Sequence, residues 1–229
     1  LSQVVLFDLG NTLVQYYELR DFPPILKAAI ASASEVVAEK NGMAKDEDGL
    51  WKRVEAENFE AKDYSVRPLE ARLQRIFQIS EGEWSEELAM AACRSFTQPI
   101  FALAKVYDDV FATLAELRRL GYRTAVVSNT PWGSPASLWR EEIARLGLAD
   151  KVDQAIFCGD CGWRKPARQI FEHTLNLMNA KPEDCVFVGD DPRWDIIGPE
   201  AAGIKAVLID RFGRDPSALQ SLTDLVERL

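Results

Sequence analysis

An aspartate closing an apolar run, Asp8 in VVLFDLGNTLV (4–14), is the first group in this chain placed to do chemistry. The same placement recurs downstream. RTAVVSN (123–129) runs into Ser128, Asn129 and Thr130, CVFVGDD (185–191) into Asp190 and Asp191, and GWRKP (162–166) brings Arg164 and Lys165. Carboxylate oxygens suit a hard cation such as Mg²⁺, which takes one or two carboxylates plus substrate oxygens. A hydroxyl, an amide and main-chain N–H groups suit phosphate oxygens. A lysine offsets the charge that develops as a phosphoryl group moves. A carboxylate with no neighbouring histidine can itself be the nucleophile, forming an aspartyl-phosphate, and the single histidine, His173, falls inside a helical pattern. The set points to phosphoryl transfer.

The elements that must position these residues are legible as alternating patterns. Five apolar runs, 4–8, 123–129, 153–158, 185–191 and 205–210, read as strands, four of them with almost no period-2 alternation. That is the pattern of a parallel sheet covered on both faces. Helical patterns occupy 108–121, 134–146, 166–178, 194–202 and 216–228, with Gly121 as a helix stop and Pro216 in a first turn. Such alternation predicts an α/β fold, a Rossmann-like core with a five- or six-stranded parallel sheet flanked by helices, whose carboxyl strand ends share the ligand-binding edge. Residues 16–97 carry helical patterns and no convincing strand. A crossover needs only about a dozen residues, so this stretch reads as an inserted all-α helical-bundle cap. The expected division is 1–15 and 98–229 for the catalytic core and 16–97 for the cap.

Composition narrows the partners. The 229 residues are 47% hydrophobic and 28% charged, with a formal net charge of −9. An acidic chain disfavours nucleic acid and anionic membranes, which need a basic face. A small phosphorylated metabolite needs only a local cluster of cations. No apolar run approaches the roughly 18–20 residues of a membrane span. The chain opens on a strand without a basic leader, so a cytoplasmic location is expected. Four cysteines do not make a disulfide framework at this length. CGDC (158–161) lacks a second cysteine pair for zinc and does not follow the first strand as a redox motif would, so Cys158 and Cys161 are expected to pack. Monomer and homodimer both stay open.

Taken together, FDLGNTL (7–13), VVSNT (126–130), GWRKPARQIF (162–171) and VFVGDDPRWDIIGPEAAGI (186–204) resemble the haloacid dehalogenase superfamily, in its phosphatase-type subgroup with a helical cap inserted after the first strand. The resemblance implies that Asp8 is the nucleophile and a Mg²⁺ ligand, and that Gly10 offers its carbonyl to the metal. It implies that Ser128 and Asn129 hold phosphoryl oxygens and that Lys165 bridges nucleophile and phosphate. Asp190 would be the main acidic ligand, with Asp195 behind it or acting through water. Asp191 would be a further metal ligand, at a place that relatives often fill with serine, asparagine or histidine. In the cap, Tyr16, Arg20, Tyr64 and Arg67 are expected to face the substrate, and Trp132 and Trp163 flank the strand-end motifs.

One position departs from the pattern. Most phosphatases of the superfamily carry a second aspartate two residues after the nucleophile, and here that residue is Gly10. General acid–base help is worth about 10²–10⁴ in rate, or roughly 3–5.5 kcal/mol of barrier. Its loss weighs most on alkyl phosphates. Three readings follow: an active phosphatase, with a less demanding substrate or with a substitute acid from the cap or a metal-bound water; a regulatory protein that binds phosphate or metal without turnover; and a 2-haloacid dehalogenase. The retained GDD acids, and a start that is not D-x-Y-G-T, weigh against the last.

Overall fold

The computed structural model describes residues 4–41 and 49–229. Its centre is β1 (Val4–Phe7), flanked by β4 (Arg123–Ser128) and β6 (Cys185–Gly189), with β5 (Gln154–Phe157) and β7 (Lys205–Leu208) at the edges. All four pairings are parallel, and Val4 aligns with both Arg123 and Cys185. The strand order β5-β4-β1-β6-β7 is thus the expected sheet, with five strands among the described residues. Side chains alternate between two cores. Val5, Phe7, Val126, Val186 and Val188 join one apolar cluster, and Val4, Leu6, Ala125, Val127 and Phe187 join the other. With both faces covered, every position of these three strands is free to be apolar, which explains the missing alternation.

The helices that cover the sheet are α5 (Val110–Arg119), α6 (Ala136–Arg145) and α8 (Arg168–Met178), with the single turns α7 (Cys158–Cys161) after β5 and α9 (Gly198–Ala201) before β7. Leu114, Leu117, Leu138 and Ile143 pack on the first face, and Ile170, Phe171 and Leu175 on the second. Gly121 ends α5 with φ +85°, while the Tyr122 N–H bonds back to the Leu117 carbonyl. Between β1 and β4 lie α1 (Phe22–Asn41), α2 (Leu50–Glu57), α3 (Leu69–Phe77) and α4 (Glu86–Phe101). Ser85 caps α4 by accepting the Leu88 N–H at 3.2 Å. Leu26, Ile30, Leu73 and Phe96 from these helices extend the first cluster.

Two features escape the sequence patterns. β2 (Val14–Gln15) and β3 (Lys105–Val106) form a short antiparallel ladder across the entry and exit of the helical segment. Two-residue strands leave no periodicity to read. The helix expected over 216–228 is reduced to α10 (Thr223–Val226). Upstream of it Leu219 joins the sheet edge instead, donating to the Leu208 carbonyl and accepting from the Asp210 N–H at 2.9 and 2.7 Å. Asp215 turns the chain locally by accepting the Ser217 N–H at 2.8 Å.

The helical segment is stitched to the loops that carry the strand-end motifs. Val66 N–H donates to the Gly162 carbonyl at 2.8 Å and Arg164 N–H to the Tyr64 carbonyl at 2.9 Å, around a bridge between Ser65 and Trp163. On the other side the turn Pro131–Gly133 meets the start of α3 so closely that a Cβ on Gly133 would lie 2.3 Å from the Arg67 carbonyl oxygen. Gly133 also has φ +70°, so two independent constraints demand glycine there. Gly133→Ala is expected to cost about 1–3 kcal/mol of stability, measured by urea unfolding. Faster proteolysis between α2 and α3 should accompany it.

Candidate active site

Three carboxylates and one ammonium meet at the carboxyl edge of the sheet. Asp8 directly follows β1, and its N–H continues the ladder to the Val188 carbonyl at 2.9 Å. Ser128 ends β4 and donates its hydroxyl to Asp8 Oδ1 at 3.0 Å. Lys165 Nζ reaches the same Asp8 Oδ1 at 2.6 Å and Asp195 Oδ1 at 2.7 Å. Lys165 is 2% exposed and Asp195 1%. Burial opposes the lysine's charge, but Asp195 and Asp8 outweigh it and hold the ammonium above the ordinary lysine value. Lys165 is therefore a permanent cation.

Asn129 ties the loop to the lysine. Its amide Nδ2 donates to the Lys165 carbonyl at 3.1 Å, and its Oδ1 accepts the Lys165 N–H at 2.8 Å. The side chain clamps the main chain that aims the lysine, so it serves the site through Lys165. The next residue is held by a cysteine: Thr130 N–H donates to Cys158 Sγ at 3.3 Å. Cys158 is thus a buried acceptor under the strand-end loop, and all four cysteines are free. Burial raises the Cys161 thiol above its usual range, which suits packing.

The acids after β6 divide their work. Asp191 Oδ1 accepts the Arg193 and Trp194 N–H groups at 2.8 and 3.0 Å and caps the π-helical turn Pro192–Ile197. That turn brings Asp195 under the site, where its Oδ2 accepts the Asp191 N–H at 3.1 Å. Gly189 makes this possible, because a Cβ there would stand 2.4 Å from the Asp195 side chain. Asp190 faces the cleft. Oxygens of Asp8, Asp190 and Asp195 lie within 4.8 Å of one another, a grouping that leaves Asp191 out. Burial, then repulsion from Asp8 and Asp195, pushes the Asp190 carboxyl up to about 8. Three acids against one ammonium leave a deficit of positive charge that a hard divalent cation matches, since carboxylate oxygens are its preferred donors.

The site opens into a cleft of about 940 Å³. Gly10 lines it from a tight turn in which the Leu13 and Val14 N–H groups share the Leu9 carbonyl. Tyr16 and Arg20 also line it, as does Trp132. Tyr64 turns instead to Arg193, its hydroxyl 3.3 Å from Nη2, and Arg67 to Glu57 at 2.8 Å. Trp163 pairs with Ser65. The cleft also contains two residues that sequence patterns alone do not single out, Phe59 and Arg72. Arg72 did leave a trace: it interrupts the buried stripe Leu69, Leu73, Ile76 of α3 at helical spacing. A charge on an apolar helix face has to be explained by its surroundings. His173 lies away from this cleft, beside a separate groove next to β5.

Comparison with known proteins decides the family. A model of the haloacid dehalogenase-like hydrolases matches residues 3–203. The chain belongs to this family. A phosphoserine phosphatase of Thermus thermophilus is 32% identical over 76% of this chain and 69% of its own length. A glyceraldehyde 3-phosphate phosphatase of Methanothermobacter thermautotrophicus is 36% identical, and there the match spans about half of each protein, 48% and 47%. The crystal structure of a 2-haloacid dehalogenase from Pseudomonas syringae superposes with a TM-score of 0.69, covering 99% of this chain and 97% of that one at 24% identity, a likeness of fold. Among the described residues no helix is long and apolar enough to cross a membrane.

The crowded acids of this haloacid dehalogenase-like hydrolase set a pH dependence. Asp190 holds its proton in the folded state up to about 8, against an ordinary 3.8. The folded protein then binds more protons than the unfolded chain between those values, so stability falls as pH rises through that window. Thermal unfolding of metal-free protein should show this decline from pH 4 to 8. Added Mg²⁺ should oppose it increasingly toward pH 8, because binding requires the ionised carboxylate.

Proposed function

We propose that this hydrolase is a Mg²⁺-dependent phosphatase that cleaves small phosphate monoesters through an aspartyl-phosphate on Asp8. The observation that carries the reading is the arrangement at Asp8: one oxygen held by Ser128 and Lys165, with Asp190 and Asp195 beside it. Two relatives named as phosphatases of small metabolites support it. Residues 16–97 act as the cap, with the pairing of Ser65 and Trp163 closing it onto the core. The free cysteines suit a reducing cytoplasm.

The chain's own groups supply most of the chemistry. Ser128 and Lys165 both bond Asp8 Oδ1, which leaves Oδ2 as the oxygen that attacks phosphorus in line with the leaving oxygen. The Lys165 ammonium and the Ser128 hydroxyl then offset charge on the transferring phosphoryl oxygens. Asp195 anchors the lysine, and Asn129 fixes its main chain. Asp8, Asp190 and the Gly10 carbonyl would hold Mg²⁺, with Asp195 behind them, and the ion would supply charge neutralisation at the phosphate. A water then hydrolyses the acyl phosphate and regenerates Asp8. The three acids are what a dehalogenase attacking carbon has no need of.

Two variants test this. Asp8→Asn removes the nucleophile and should reduce phosphate release from p-nitrophenyl phosphate by more than about 10³-fold, with the melting temperature recorded as a folding control. Release that persists near wild-type rates would place the nucleophile elsewhere. Its absence in wild type, with and without Mg²⁺, would favour a binding module. Gly10→Asp has room, since a Cβ there meets nothing nearer than Tyr16 Cδ2 at 4.0 Å. It should raise kcat on an alkyl phosphate such as glycerol 3-phosphate by about 10–10²-fold. The gain on p-nitrophenyl phosphate, whose leaving group needs no proton, should be small.

A further inference from the structure

Arg72 is a buried cation that, among the described residues, makes no direct ion pair. It is 5% exposed, and its guanidinium donates to the main-chain carbonyls of Arg67, Glu57 and Phe59. A guanidinium carries five N–H donors, so three such bonds leave two unused. Burying a charge without a partner is costly. Here the neighbours aggravate the cost. The nearby Glu57 carboxylate is already paired with Arg67 and Arg75, at 2.8 and 2.7 Å. Arg164 adds a further cation, and its partner Glu60 is shared with Arg193. This excess of positive charge stands in a chain whose formal net charge is −9.

The position of the excess matters. Arg72 lines the same cleft as Asp8, and its guanidinium lies over the Trp132 ring at 5.3 Å from the centroid. Trp132 stands two residues beyond Thr130. The wall thus runs from the phosphoryl-binding floor, past an indole face, to an unpaired guanidinium. Burial, then repulsion from Arg67, lowers the Arg72 pKa to about 10, which leaves it charged at neutral pH.

Resting on the phosphatase reading, we propose that Arg72 is the anchor for a second anionic group of the substrate, a carboxylate or a second phosphate, carried on the moiety that the cleft encloses. A planar guanidinium fork with two free N–H groups suits either anion. The substrate class is then a phosphate monoester with an anionic tail, not a neutral polyol phosphate. Arg72 acts in specificity, away from the phosphorus.

Binding of non-hydrolysable phosphonates tests this without turnover. Propylphosphonate, 3-phosphonopropionate and propane-1,3-diphosphonate share one scaffold with a neutral, a carboxylate and a phosphonate tail. Isothermal titration of the full chain with Mg²⁺ should show at least one charged-tail ligand binding about tenfold or more tighter than propylphosphonate. The tighter of the two names the tail. In Arg72→Met that ratio should fall to about one, while Arg72→Lys should keep part of it. Equal binding of all three ligands by wild type would overturn the proposal, whether or not the variants fold. So would a ratio unchanged in Arg72→Met that melts like wild type. Failure of the phosphatase reading shows separately, as no Mg²⁺-stimulated phosphate release from p-nitrophenyl phosphate.

Discussion

The ion triad of Lys165 with Asp8 and Asp195 is the constraint to which the rest of the site answers. Its lysine is buried, and both carboxylates lie within 2.7 Å of the ammonium. Removing one member of a buried pair leaves an uncompensated charge, typically at a cost of about 3–5 kcal/mol. The surrounding structure holds the three together from separate segments. The central strand delivers Asp8, Asn129 grips the Lys165 main chain from the end of β4, and a π-helical turn raises Asp195 from below. Asp191 caps that turn and so helps place Asp195 without joining the cluster itself. The triad balances two carboxylates with one cation. Asp190 is the third acid, and its raised pKa reports that the balance is incomplete without another positive charge.

A second electrostatic imbalance, of opposite sign, stands on the cap side of the same cleft. Acids exceed cations at the floor, and cations exceed acids around Arg72 and Arg164. For an enzyme of net charge −9, admitting the proposed anionic substrate would benefit from such separation. On the proposed reading, a divalent cation would meet the floor's deficit and the anionic ligand the wall's excess. Each half would then be complete only when loaded, as in a site that recognises charge at both ends.

Much of this was legible in the sequence, for identifiable reasons. Buried parallel strands show as unbroken apolar runs, and Asp8, Ser128 and Asp190 mark their ends, so the sheet and its functional edge can be read together. Lys165 is legible as a cation next to a helix start. What Asn129 does is not, because its amide bonds a main chain 36 residues away, a contact made by tertiary folding. The terminal helix fails for a similar reason: helical propensity over 216–228 loses to the pairing of Leu219 with the sheet edge. Substrate-facing residues of the helical segment are the hardest to place. Tyr64 and Arg67 have the right chemistry but turn to Arg193 and Glu57, while Arg72, one turn further on, enters the cleft.

Two glycines show how one residue type serves opposite ends. Gly189 is demanded by the fold, since any side chain there would strike Asp195 and dismantle the triad. Gly10 is not demanded in this way: its φ is ordinary, and an added Cβ would meet only the edge of Tyr16 at 4.0 Å. The absence of an acid at position 10 therefore does not follow from packing. It leaves room beside Asp8 in a cleft that Arg72 and the Trp132 indole also line. A substrate whose leaving group departs without a proton places little demand on position 10, and one gripped by its tail can be oriented without contacts there. On this view the missing acid and the extra cation belong together, as two consequences of one kind of substrate.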